Sequence, residues 1–203
     1  AVAFSVVLGV GAGLIAGYAG GLVDAALMRF ADVQLTFPAI LIALMVDGFA
    51  RAALPADVHE NLALYVLIFS IGIADWPQYA RVVRTGTAVQ KTLGYVAAAR
   101  VMGVGRVRIA LGHILPNVLS AVFVLATLGL TSAVIAEATL SFLGVGMPPT
   151  SPSLGTLIRI GNDFLFSGEW WITLFPALTL VALALGVNLL GDWLRDALNP
   201  RLR

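Results

Sequence analysis

Long apolar runs, separated by short charged clusters, set the pattern of this chain. Residues 1–23 and 114–136 each hold 23 consecutive positions without a charge, and residues 170–191 hold 22. A helix rises about 1.5 Å per residue, so each run can cross a hydrocarbon layer roughly 30 Å thick. Two shorter runs, 33–46 and 61–74, hold 14 uncharged positions each. They cross only if their polar flanks lie among the headgroups. Asp32 and Asp47 bracket the first, and the second extends through Trp76 to Arg81, whose long side chain can snorkel. The pattern predicts an all-α, polytopic transmembrane helix bundle with five spans, residues 1–203 forming one domain.

Composition supports this. Hydrophobic residues make up 60% of the chain, charged residues 11%, and the mean hydropathy is +0.96. A chain of 203 residues lacks the surface to bury five such helices in a soluble core. The placement of charge orients the bundle. Of 12 Lys and Arg, only Arg51 and Arg159 fall on one side. The others, from Arg29 through Arg81, Arg84, Lys91, Arg100, Arg106 and Arg108 to Arg195, Arg201 and Arg203, fall on the opposite side. The positive-inside rule then places 24–32, 75–112 and 192–203 in the cytoplasm and 50–60 and 144–169 outside. The expected location is the cytoplasmic (inner) membrane, multi-pass, with a cytoplasmic C-terminus. Asp57, Glu60, Asp163 and Glu169 fall in the outer loops, and Trp76, Trp170, Trp171 and Trp193 are expected as interfacial indoles at span ends. Five spans put Ala1 outside, and the chain opens without Met. An upstream segment with a sixth span is expected. Cysteine is absent, which excludes disulfides and thiolate metal sites.

Within the spans, Gly9, Gly13, Gly17 and Gly21 recur every four residues and are expected to form one close-packing helix face. Pro38 is expected to bend the second span and free a carbonyl for a neighbouring donor; Pro176 raises the same expectation in the last span. Asn188 needs a hydrogen-bond partner within the bundle. Glu137, at the outer end of an apolar run, is a candidate for a gate or subunit contact, the alternative being simple interfacial solvation. The loop Pro148-Pro149-Thr150-Ser151-Pro152 cannot continue a helix. Beyond it, Leu154, Leu157, Ile158, Gly161 and Leu165 return at helical spacing and predict a short helix on the outer face.

No catalytic arrangement stands out. His59 and His113 fall on opposite sides of the membrane, and the chain has neither a phosphate-cradling glycine loop ending in Gly-Lys-Ser/Thr nor a paired-carboxylate motif. The chain is read as a non-enzyme that binds no cofactor or metal. The basic loop at 86–112 lacks the interleaved aromatics of a nucleic-acid surface. It reads instead as a docking element. Ala97, Ala98, Ala99, Val101 and Met102 favour a helix, Gly103 can end it, and Arg100, Arg106 and Arg108 add charge-dependent register for a partner. The plainer alternative is a surface loop held by anionic membrane lipid.

The loop resembles the signature of the inner-membrane permease subunits of binding-protein-dependent ABC importers: Glu-Ala-Ala, three residues, Gly, then about nine residues to Ile-x-Leu-Pro. Here Ala97, Ala98 and Ala99 precede Gly103, and Ile114, Leu115 and Pro116 close the segment. Ala97 stands where the family has its glutamate, and the Leu-Pro ending is shortened. The likeness extends over the chain, through Gly17-Tyr18-Ala19-Gly20-Gly21 with Asp24, Arg29-Phe30-Ala31-Asp32, Phe37-Pro38, Ser141-Phe142-Leu143-Gly144 with Pro148-Pro149-Thr150, and the segment from Gly191 to Arg203. These resemble the second permease of the dipeptide/oligopeptide/nickel branch.

The resemblance implies a six-span type I importer permease that pairs with a homologous permease. It also implies two cytoplasmic ATPases, which use ATP and Mg, and an extracytoplasmic solute-binding protein. It assigns Tyr95, Ala97, Ala98, Ala99, Arg100, Met102, Gly103 and Arg106 to an ATPase-coupling loop, with Ile114, Leu115 and Pro116 opening the next span. Dipeptides or oligopeptides are the implied cargo, with nickel or another small solute as the alternative. An ion-coupled secondary transporter is the rival class; it calls for embedded acids and interrupted helices in paired repeats. A non-transporting membrane scaffold would keep the packing glycines without a coupling helix.

Overall fold

The chain folds as helices: α1 (Val2–Ala19), α2 (Gly21–Leu35), α3 (Ala39–Ala53), α4 (Ala56–Gln90), α5 (Gly94–Val101), α6 (Arg106–Ile109), a π turn (Ala110–Ile114), α7 (Leu115–Phe142), α8 (Leu154–Phe164) with a 3-10 turn (Leu165–Ser167), and α9 (Trp171–Ala197). This computed structural model describes residues 1–148, 150–151 and 153–197, with backbone alone at 56–57, 59–61 and 194–197. Pro149, Pro152, Arg201 and Arg203, and the side chains of Asp57, His59, Glu60 and Arg195, lie outside the described residues.

Four helices are long and apolar enough to cross a membrane: Val2–Ala19, Leu62–Gln90, Arg106–Phe142 and Trp171–Trp193. A fifth is added if α2 and α3, which meet at 93°, count together. The bundle is therefore all-α and polytopic.

Facing residues give the directions. Gly9 of α1 lies against Trp76 and Tyr79 of α4, Gly13 against Ala80 and Val83, and Gly17 against Arg84 and Thr87. The numbers rise together, so α1 and α4 run parallel. On α7, Val118 faces Gly86 while Gly129 faces Tyr79, so α7 runs antiparallel to α4. Thr131 donates to Asn188 Oδ1 (2.9 Å), and Thr127 faces Gly191, which sets α9 antiparallel to α7. The contact from Thr131 is the partner that Asn188 requires. Between α1 and α4 in the chain lie α2 and α3. At one end Asp24 and Asp32 pair with Arg84 and Arg81; at the other Arg51 approaches the Gly144 carbonyl (3.5 Å).

Several boundaries differ from those the sequence predicts. The first span ends at Ala19, because Gly20 and Gly21 adopt φ of 69° and 55°, a left-handed turn that side chains disfavour. Gly21 therefore leaves the glycine face. It opens α2 with nothing within 4 Å of where a Cβ would stand. Pro38 does not bend a continuous helix. Its ring disfavours helical geometry at Phe37, so α2 stops at Leu35 and Pro38, extended at φ −55° and ψ 130°, begins α3.

The freed-carbonyl logic operates instead at Pro77, fully buried inside α4. Without an N–H, Pro77 leaves the Ile73 carbonyl unserved within the helix. Gln34 of α2 supplies the donor through Nε2, and its Oε1 accepts from Trp76 Nε1 (3.0 Å). Trp76 is thereby removed from the interfacial role expected of it: it is 5% exposed and stacks on Phe30 with centroids 6.0 Å apart. Trp170, Trp171 and Trp193 are exposed near the ends of α9.

The helix predicted to open at Ile114 begins earlier, at Arg106, and runs through the π turn into α7. Pro116 follows that turn. A wider turn relieves the clash between a proline ring and the carbonyl four residues earlier. The short helix predicted beyond the proline-rich loop forms as α8, with Ser153 capping it by accepting from the Thr156 N–H (3.2 Å). Its packed face keeps Gly161 of the expected stripe but not Leu157 or Leu165. Gly155 meets Ala138 and Gly161 meets Thr173, while Leu157 and Leu165 are exposed. Small residues that let backbones approach closely form the packing surface here.

Candidate functional site

The site is built around α5, an eight-residue helix in the 91–105 connection between α4 and α6. Its two faces have opposite environments. Val96 and Ala99, three residues apart on one side, are 0% and 1% exposed. They join Leu14 of α1, Tyr79 and Val83 of α4, Ile109 of α6, and Val118 and Val122 of α7 in one hydrophobic cluster. On the other side Ala97, Ala98, Arg100, Val101 and Met102 are exposed, Val101 at 90% and Met102 at 73%. Through Val96 and Ala99, α5 is thus continuous with the packed cluster that contains side chains of α1, α4, α6 and α7.

Polar contacts hold α5 at both ends. Tyr95 Oη donates to Gln90 Oε1 (2.6 Å) at the end of α4, and the His113 carbonyl of the π turn lies 3.4 Å away. At the C-terminus, Gly103 has φ 77°. Its N–H donates to the Arg100 carbonyl and the Val104 N–H to the Ala99 carbonyl, both at 3.0 Å. This is a Schellman closure, with Val104 packed against the cluster that contains Ala99. Lys91 Nζ donates to the last-turn carbonyl of Tyr18 in α1 (2.6 Å). Asp24 accepts from both Nε (2.8 Å) and Nη2 of Arg84, a bidentate pair joining α2 to α4 near the same end.

The residues singled out in the sequence thus separate. Tyr95, Ala97, Ala98, Arg100, Met102 and Gly103 come together on or beside the outer face of α5, whereas Ala99 points into the cluster and is not part of that face. Arg106 lies on α6, exposed; Ile114 is buried, and Leu115 and Pro116 continue the composite helix. Val96 carries the inward attachment and was not singled out, although its spacing of three from Ala99 is the available signal. Gly9, Gly13 and Gly17 form the α1 contact with α4, away from α5.

Glu137 lies far from α5, half-buried near the opposite end of α7. It accepts from Ser141 Oγ (2.7 Å), which in turn accepts from the Met147 N–H (3.1 Å). The described residues contain no group of three or more His, Asp or Glu able to hold a metal ion.

Residues 9–203 match the family described as binding-protein-dependent transport system inner membrane component. The chain belongs to this family. Permease subunits of the family are non-catalytic, with ATPase activity in separate partner subunits. The chain is 36% identical over 202 residues to the dipeptide transport system permease protein DppC of Haemophilus influenzae, covering all of this chain and 65% of that protein. It is 38% identical over 197 residues to the glutathione transport system permease protein GsiD of Pectobacterium atrosepticum, covering 97% and 62%. With the oligopeptide transport system permease protein OppC of Mycobacterium bovis it shares 40% over 192 residues, covering 94% and 62%. The chain thus spans less than two thirds of the length of these relatives.

Proposed function

We propose that this chain forms half of the membrane pathway of an ATP-driven importer for dipeptides or oligopeptides. In this reading it works beside a homologous permease, two cytoplasmic ATPases and an extracytoplasmic solute-binding protein. The observation that supports it is the two-sided α5, one face anchored among α1, α4 and α7 and the other bare. Ala97 and Ala98 leave room for close approach by an ATPase groove, and Val101 and Met102 offer apolar contact. Movement of the docked ATPases would then tilt the bundle between inward-open and outward-open arrangements. Peptide cargo rests on the names of the relatives.

In this reading α2 and α3 make one crossing, since parallel α1 and α4 need a return between them. That gives five spans here and six in the complete subunit, with the α5 end and the C-terminus cytoplasmic. Glu137 lies near the outer end, where its bond to Ser141 steadies the turn that would face the binding protein.

Two measurements test this. The chain has no cysteine, so single cysteines report sidedness cleanly. Thr92→Cys and Ser151→Cys are both at exposed positions, and Ser151 avoids disturbing the Ser153 cap. An impermeant maleimide added to intact spheroplasts is expected to label the Ser151 variant and spare the Thr92 variant; equal labelling rejects the orientation. Reconstitution of the full-length subunit with its partners is expected to give ATP-dependent inward movement of peptide, lost when this subunit is omitted. Uptake that follows an ion gradient without ATP replaces the mechanism with a secondary transporter. Uptake of nickel but not peptide leaves the mechanism standing and overturns the cargo.

A further inference from the structure

A cavity of about 870 Å3 opens between the last turns of α1 and the segment from α5 to the π turn. Its lining is divided by chemistry. Lys91, Arg100 and Arg106 contribute cationic groups, while Leu14, Ile15, Val107 and Leu111 contribute apolar wall. No acid lines it among the described residues. Arg51, Arg81 and Arg84 each pair with an aspartate, but the side chains of Arg100 and Arg106 have no hydrogen bond or ion pair among the described residues. Lys91 donates to the Tyr18 carbonyl, and an ammonium has three donors, so two remain.

The apolar wall is open as well: Ile15 is 57% and Leu111 52% exposed. These side chains lie on α1 and the helix leading into α7, both long enough to cross a membrane, at the ends that carry the basic loop. Cations at one end and open apolar surface at the other match an amphiphile with an anionic head.

We propose that this cavity binds the headgroup phosphate of an anionic phospholipid from the bilayer, with its acyl chains along Ile15 and Leu111. Lys91, Arg100 and Arg106 would hold the phosphate, since basic pockets between membrane helices bind anionic lipid headgroups. The lipid would bridge α1 to α6, beside α5. Its assignment to the cytoplasmic leaflet rests on the orientation proposed above; the binding itself does not.

The test uses the full-length subunit assembled with its partners and purified in mixed micelles of detergent with equal phosphatidylglycerol and phosphatidylcholine. Retained lipid is read by native mass spectrometry, without ATP or transported solute, so failure here is distinct from failure of the transport reading. Preferential retention of phosphatidylglycerol is expected. Arg106→Gln is expected to reduce that preference about fivefold, the equivalent of one lost cation. Arg108→Gln, at an exposed position outside the cavity lining, is expected to leave it unchanged. If Arg106→Gln does not assemble, Arg100→Gln carries the same expectation. Equal retention of the two lipids overturns the proposal, as does an equal effect of the Arg106 and Arg108 variants, which marks diffuse surface charge. Displacement of the lipid by millimolar inorganic phosphate also overturns it, by assigning the site to a free anion.

Discussion

Gly13→Val is expected to abolish accumulation of the folded subunit, because the contact between α1 and α4 leaves no room for a side chain. A Cβ built at Gly13 would stand 2.8 Å from Val83 Cβ and 3.0 Å from the Arg84 amide nitrogen. Part of that obstruction is backbone, so no rotamer change relieves it, and the helices must move apart. Even Gly13→Ala is expected to cost about 1–3 kcal/mol, the usual scale of overpacking. Separation would also break the buried bond from Ser5 Oγ to the Gly72 carbonyl (3.0 Å) and loosen Leu14 from the cluster that anchors α5. The internal control is Gly11, on the same helix, where a Cβ would meet nothing within 4 Å. Gly11→Ala is expected to be neutral or slightly stabilising, since alanine favours helix by about 1 kcal/mol. Thermal unfolding in detergent separates the two; equal midpoints for the two alanine variants would rule out the packing role of this glycine face.

How far such features are legible in the sequence depends on how local their cause is. A recurrence of four places Gly9, Gly13 and Gly17 on one face without reference to any other helix. The same recurrence misplaces Gly21, because spacing does not report backbone sign, and the adjacent Gly20 and Gly21 permit the turn that ends α1. Proline shows the same division. Pro38 is visible as an interruption, but a 93° break rather than a bend depends on how α2 and α3 pack on α4. Pro77 is buried, and its lost hydrogen bond is met by Gln34, 39 residues from Ile73 in the chain. Trp76 reads in the sequence as an interfacial indole; Gln34 and Phe30 instead enclose it within the bundle.

The candidate site divides in the same way. The small exposed positions Ala97 and Ala98 and the terminating Gly103 are local features that sequence displays. The inward anchors Val96 and Ala99 differ from their neighbours only through the cluster they enter, which draws on α1, α4, α6 and α7. The ties that fix this end of the bundle are also long-range: Arg84 to Asp24 spans 60 residues, and Lys91 to Tyr18 spans 73. Net charge on a loop does not reveal which arginines are paired. Arg81 and Arg84 are engaged, and Arg100 and Arg106 are not, although all four contribute alike to the charge pattern.

Gly103→Val is expected to uncouple solute from ATP hydrolysis in the assembled transporter. The position is open, with nothing within 4 Å of a Cβ, so crowding is not the cause. The cause is backbone sign: φ is 77°, where an L-residue costs about 1–2 kcal/mol and a β-branched one is a marked outlier. The chain escapes that cost by abandoning the left-handed turn, which forfeits the two closing bonds to the Arg100 and Ala99 carbonyls and draws Val104 from its place beside Ala99. An eight-residue helix has little intrinsic stability, so α5 depends on these attachments. Its bare face would then no longer be held at a fixed angle to α1, α4 and α7. A loss of about 1.4 kcal/mol corresponds to a tenfold fall in the population competent to couple, and a reduction of about that size in peptide-stimulated ATP hydrolysis is expected. Gly103→Asn should recover part of it, because asparagine tolerates the left-handed region. Gly105→Ala should have little effect, since Gly105 has an ordinary φ of −64°. Full stimulation in the valine variant, or an equal loss at Gly105, would exclude the α5 closure as the coupling element.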